Sequence, residues 1–238
     1  MIRQFAIFIG FLFLNLLSGS AQNLYYKTLN AQLVAPFYDT AHRVELKNID
    51  STSSIKKQID YVLKFYPKML VKNILVDFKK SASVAKTRPK FSSIFKSPVQ
   101  RVYKITFSKG TNSTLDSVVL ENLTFNSQIG LIAHQISIIE DMSTGGFFNF
   151  VAFYFKNLTH AGIKRIYLDA EEKTIEVGLG YQLLDLNKEN LENLKIENWT
   201  DTKGYTNYMR HYKNRPMKPS RVINFINDMP VYVAHPYK

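Results

Sequence analysis

The sequence predicts an α+β fold, with a small sheet in its N-terminal half packed on a central apolar helix and further helices toward the C-terminus. Three observations carry this. Apolar residues recur at helical spacing from Ile55 to Tyr66. Two β-branched and aromatic runs follow at Val71 to Phe78 and Val99 to Phe107. The segment from Phe125 to Met142 is apolar on nearly every face.

Taken in order, residues 1–21 read as a secretory signal peptide. Arg3 supplies the positive start, Phe5 to Leu17 the apolar run, and Gly19-Ser20-Ala21 the small residues before cleavage at Gln22. That run is shorter than the ~20 residues a bilayer requires and contains Asn15, so export is preferred over anchoring. Residues 22–238 are then expected to form a single soluble domain. The chain has no cysteine, so this domain must be held by burial and not by disulfides.

Ile55, Ile59, Val62, Leu63 and Tyr66 place one apolar stripe on a helix that Pro67 ends, with Asp50 to Thr52 as candidate caps. The two β-branched runs, bounded by polar clusters containing Pro or Gly, read as strands of one sheet. Between them, Lys79 to Ser97 is basic and Ser-rich, with Arg88-Pro89 and Ser97-Pro98 as breakers. It predicts a long loop or loose edge segment. Leu115 to Leu123 predicts one further strand. In the segment 125–142, Ile129, Leu131, Ile132, Ile136, Ile138 and Ile139 leave only a narrow polar strip, as in a central helix. Gly145-Gly146 interrupts the chain before the aromatic run Phe147 to Phe155, expected to pack in the core. Leu179 to Leu194 predicts another helix, and a last short one opens near Pro219 and ends before Pro230. Trp199 is expected to close a small satellite core, and Tyr205, Tyr208 and Tyr212 are spaced for one helical face.

The central helix also carries the chemistry. In an HExxH helix two histidines at i and i+4 point from one face at one metal, and the glutamate between them polarises the bound water. Here His134 stands in the first slot, Gln135 in the glutamate slot and Ile138 in the second histidine slot. A carboxamide cannot take a proton from a metal-bound water, and isoleucine has no lone pair for zinc.

The flanks extend the likeness. Phe125-Asn126-Ser127-Gln128-Ile129-Gly130 with His134 and Ile139-Glu140-Asp141 resembles the "FNxQIGxxxHELSHxxD" segment of a family of secreted bacterial zincin-like proteins. Gly178-Leu179-Gly180-Tyr181-Gln182-Leu183 resembles that family's "GLGYQL" segment. Phe65 to Leu70, Arg88-Pro89 and Arg101 to Ile105 resemble its lead-in strands, so the likeness covers roughly residues 60 to 227. It implies a zincin-like fold and, position by position, a metal set of His134, the site held by Ile138, and an acidic residue about seven before Gly178, either Glu171 or Glu172. The implied general base is the position of Gln135. With two of four roles empty, the resemblance implies vestigial metal ligands, no catalytic residue and no cofactor.

Charge supplies the remaining expectation. The formal net charge is +12, with the excess mainly in Lys79 to Lys109 and Arg210 to Arg221. An exported basic protein, periplasmic or extracellular, is expected to meet anionic lipid headgroups, an acidic envelope component or an acidic protein, and no nucleic acid. Two functions follow. The first is a pseudo-metallopeptidase acting as a binding or scaffold protein of the cell envelope. The alternative is a metal-dependent hydrolase, with zinc as its metal, whose non-standard site is built around His134 and Glu171 or Glu172, with His160 as a further candidate.

Overall fold

The computed structural model describes residues 27–34, 44–49, 54–93, 95–97, 99–111, 113–144, 147–195 and 217–232. The expected signal segment, Gly145-Gly146, Trp199, Tyr205, Tyr208 and Tyr212 lie outside the described residues.

The fold is α+β. Strands β1 (Val44–Lys47), β2 (Asn73–Lys79), β3 (Ala85–Pro89) and β4 (Val102–Ser108) form one sheet in the order β1-β2-β4-β3. The first three in that order run parallel, and β3 is antiparallel at the edge beside β4. Central parallel strands are covered and read as near-continuous apolar runs, which β2 does. Ile74, Val76 and Phe78 of β2 sit in register with Tyr103, Ile105 and Phe107 of β4, and all six side chains are buried.

That face of the sheet packs with helices. After the single turn α1 (Ala31–Val34), α2 (Ile55–Leu63) buries Ile55, Ile59, Val62 and Leu63. Its continuation places Tyr66 in the core before a turn opened by Pro67. Helix α3 (Phe125–Ser143) lies at the centre, with Ile129, Ile132, Ala133, Ile136 and Ile139 fully enclosed. Around it stand α4 (Phe147–Lys156), α5 (His160–Thr174), α6 (Gly180–Asn193) and α7 (Pro219–Asp228). Gly130 permits a close approach to α6. A Cβ built there would lie 2.3 Å from the carbonyl oxygen of Gln182 on α6, so any larger residue would push the two helices apart.

Between α5 and α6 the chain makes a wide π-type turn over Ile175–Leu179, where Gly178 has φ 103°. The Tyr232 hydroxyl bridges this turn. It donates to the Ile175 carbonyl and accepts from the Gly180 N–H, both at 2.7 Å.

Two expectations are corrected and one is refined. Leu115 to Leu123 is not a strand but two 3-10 turns, Thr114–Val118 and Leu120–Asn122. Its buried residues Leu115 and Val118, then Leu120 and Leu123, lie three apart, and Ser113, Asp116 and Asn122 bond nearby backbone in competition with a ladder. The basic segment from Lys79 to Ser97, expected as a long loop or loose edge segment, does lie at the sheet edge but as an ordered strand, β3, whose Lys and Pro content suits an edge. The aromatic run of α4 is only half core: Phe150 is buried, whereas Phe148 and Phe155 are exposed.

Candidate functional site

His134, Gln135 and Ile138 lie on α3 where it passes beneath β3. The Thr87 hydroxyl of β3 donates to Gln135 Oε1 at 2.8 Å, fastening the helix to the edge strand. The Gln135 amide nitrogen stands 3.1 Å from His134 Nδ1. An amide nitrogen can only donate, so Nδ1 is the acceptor and the imidazole proton sits on Nε2. That proton goes to the backbone carbonyl of Tyr167 on α5, whose ring lies 5.2 Å from the imidazole. The result is a directed chain from Thr87 through Gln135 and His134 to Tyr167.

Its electrostatics follow from burial. His134 is 7% exposed. Desolvation lowers its pKa to about 4 against the opposing pull of the Tyr167 carbonyl, so the ring is neutral at neutral pH. Its one lone pair in the ring plane is already used by Gln135. Ile138, one turn further, is 3% exposed and belongs to the core.

The two carboxylates from α5 do not complete a set. Glu171 is buried and accepts from the Met217 N–H at 2.7 Å and from Asn187 Nδ2 at 3.5 Å, which ties α5 to α6 and to the chain entering α7. Burial pushes its pKa up to about 8 despite these bonds. Glu172 lies near the surface beside Arg221, at 3.4 Å. His160 opens α5, and its side chain lies outside the described residues. Among the described residues no three His, Asp or Glu side chains gather as metal ligands. As arranged, His134, Ile138 and Glu171 do not fit zinc: one lone pair is committed, one side chain has none, and the carboxylate is turned to Met217.

A cavity of about 890 Å³ opens beside this chain of bonds, between β3 and helices α4 and α5. Thr87 and Tyr167, the two ends of the chain, are both in its wall, with Arg88, Phe91, Phe150 and Tyr154. The protein matches no family model, no curated protein and no solved structure. The cleft is therefore read from its own residues.

Those residues include β3, the last strand of the sheet, whose outer edge pairs with no other strand among the described residues. Ser108 N–H donates to Val84 O at 2.8 Å and Lys90 N–H to Val102 O at 2.7 Å, so the even-numbered residues of this segment bond β4. In an antiparallel ladder the alternate residues then aim their backbone groups outward, here Ala85 and Thr87. The exposed side chains of Lys86 and Arg88 flank them, with Lys104 in the next strand paired to Asp77 at 2.6 Å.

Sequence reasoning singled out the α3 residues but missed Thr87 and Tyr167, which decide what those residues do. It also missed the buried link of Tyr66, Ser137 and Thr174. There the Tyr66 hydroxyl lies 2.8 Å from Ser137 Oγ, and Ser137 Oγ lies 3.0 Å from Thr174 Oγ1. The signal for it was present as two hydroxyls in otherwise apolar stretches, Ser137 and Tyr66.

Proposed function

We propose that this chain is an exported pseudo-metallopeptidase of zincin-like plan that works as a binding or scaffold protein of the cell envelope, without zinc-dependent hydrolysis. The observation that carries the reading is the Gln135 carboxamide. It occupies the position a general base would need, and there it joins the edge strand to the imidazole as a neutral strut. A glutamate could accept from Thr87 but could not donate to His134. The local bonding therefore suits the residue present and not the catalytic one.

What remains usable is the cleft. An extended segment can add to a free strand edge through main-chain hydrogen bonds, with side chains seated in adjoining pockets. Thr87, half-buried, offers such backbone groups beside the buried Ala85, the aromatic wall offers apolar contact, and Lys86 and Arg88 favour an acidic ligand. The proposed ligand is an acidic protein segment or another acidic envelope component.

Two measurements test this. Elemental analysis of the secreted chain, purified without a histidine tag and dialysed against trace zinc, should find far less than one equivalent. Near-stoichiometric zinc that disappears in His134→Ala would favour the hydrolase alternative instead. Fluorescence anisotropy with a library of Asp- and Glu-rich peptides should show binding that weakens at least tenfold in Lys86→Glu/Arg88→Glu. Equal binding by that variant would remove the edge strand from the proposal.

A further inference from the structure

Helix α4 has only a narrow polar strip, since Asn149 and Lys156 are the only polar residues of its ten apart from the Tyr154 hydroxyl. Its inner side carries Phe150, buried, with the guanidinium of Arg101 4.8 Å from the ring centre. Its outer side carries Phe147, Phe148, Tyr154 and Phe155, followed by Leu158 just past the helix end. At 3.6 residues per turn these five positions fall within an arc of about 120°. All of them are exposed, Phe148 to 85%. A helix this apolar is normally enclosed, yet this one turns a contiguous aromatic arc to solvent.

The turn after β3 extends the arc. Phe91 is 83% exposed and Phe95 is 85% exposed. The Phe95 ring stacks on Phe147 at 6.4 Å, and Phe147 meets Phe148 edge-on at 6.0 Å. Large exposed apolar patches of this kind mark an interaction surface.

Charge identifies what the surface meets. No Asp or Glu occurs between Asp77 and Asp116, or between Asp141 and Asp169, and these two acid-free segments supply every ring of the patch. Exposed cations adjoin the rings in the chain itself: Lys90 precedes Phe91, Lys96 follows Phe95, and Lys156 follows Phe155. The partner must therefore offer apolar matter to several rings at once and negative charge at their border. A second copy of this chain offers the first but would oppose cation to cation. The interface of an anionic bilayer offers both, in layers, and aromatic side chains with basic neighbours are favoured there.

We propose that the aromatic arc of α4, with Phe91 and Phe95, docks the protein peripherally on an anionic lipid bilayer. The rings enter the boundary between headgroups and acyl chains, and Lys90, Lys96 and Lys156 lie over the anionic headgroups. The helix has 10 residues, so it is roughly 15 Å long, about half the hydrocarbon thickness, and lies in the interface without crossing it. Docking here would hold the mouth of the neighbouring cleft, which Phe91 and Tyr154 also line, at the membrane surface. It is independent of what the cleft binds.

The test is co-sedimentation of the secreted chain with vesicles of phosphatidylglycerol and phosphatidylcholine, against phosphatidylcholine alone. Binding is expected on the anionic vesicles, and Phe148→Ser/Phe155→Ser should weaken it by roughly tenfold or more per ring, with an unchanged melting temperature. Lys90→Glu/Lys96→Glu should erase the preference for anionic lipid. Because the chain has no cysteine, Phe148→Cys can carry a single environment-sensitive fluorophore, whose emission should shift to the blue on binding. A wild type that stays in the supernatant at low salt would overturn the proposal. So would sedimentation that the Phe148→Ser/Phe155→Ser variant retains in full, since charge alone would then account for it. Concentration-dependent dimerisation through the same rings, without vesicle binding, would assign the arc to a second copy.

Discussion

Acidification offers a direct reading of the bond chain behind the cleft, through His134. Its pKa falls from 6.5 to about 4 because the folded protein buries the ring away from water. The unfolded chain takes up a proton near pH 6.5, and the folded chain resists until about pH 4. This stabilising contribution is fully present above pH 6.5 and is lost as the pH falls through that window. A shift of that size corresponds to roughly 3 kcal/mol, at about 1.4 kcal/mol per unit. Glu171 and Asp141, whose pKa values rise to about 8 and about 6, act in the opposite sense over overlapping ranges. The wild-type pH profile therefore mixes the terms, and a variant is needed to separate them. His134→Phe keeps a ring against Tyr167 and removes the titration. At pH 7 it should be less stable by about 1–3 kcal/mol, since the Gln135 N–H and the Tyr167 carbonyl lose their partner. At pH 4 that deficit should shrink by roughly 3 kcal/mol, because only the wild type then bears the cost of keeping its imidazole neutral. Urea unfolding at pH 7, 5.5 and 4, with a common slope, measures the difference. A deficit constant across the range, or a His134 ring resonance titrating near pH 6.5 in the folded protein, would refute the assigned burial and bonding.

Three further outcomes are expected. Gln135→Glu should lower stability at pH 8 by about 1–3 kcal/mol, because the carboxylate cannot donate to His134 Nδ1. It should raise the His134 pKa and leave hydrolysis of a peptide library at the buffer rate; chelator-sensitive hydrolysis would contradict the non-catalytic reading. Glu171→Gln should flatten the stability profile between about pH 5 and 8, because a carboxyl whose folded pKa is raised costs stability as the pH climbs through that range. The variant should gain on the order of 3 kcal/mol relative to wild type at pH 8, provided the amide keeps the Met217 bond; thermal melts at pH 5 and pH 8 decide it. Gly130→Ala should cost at least about 2 kcal/mol, because the added methyl meets the Gln182 carbonyl at 2.3 Å and neither backbone can yield cheaply. A melting temperature equal to wild type would show that α3 and α6 are packed less closely than described.

The helices were the most legible part of the chain. Ile55 to Leu63, Phe125 to Ser143 and Pro219 to Asp228 follow from apolar spacing and from the prolines that open or end them. The α+β class followed from the same reading, and β2 and β4 follow from their β-branched runs. Strand β1, with four residues in an interior–exterior alternation, is too short to stand out as a period. Strand β3 reads as polar loop because its solvent-facing residues are Lys86 and Arg88, while the face turned to α3 carries only Ala85, Thr87 and Pro89. Helix α5 was not read from the sequence, since its inward residues Ile166 and Ala170 are few and mixed with polar ones. For the site, sequence named His134, Gln135 and Ile138 but could not name their partners.

By itself, the sequence determined where the apolar positions of α2, α3 and α7 fall, which residues stand at positions 134, 135 and 138, and where acidic residues are absent. These are local properties, written in spacing and residue type. The tertiary structure decided that Gln135 meets Thr87, 48 residues away in the chain. It also turned Glu171 to Met217, 46 residues away, and left the outer arc of α4 bare. Such choices depend on which distant segments close against one another. A side chain's own sequence neighbourhood sets its tendency to be buried, whereas its hydrogen-bond partner is set by the packing of the whole chain.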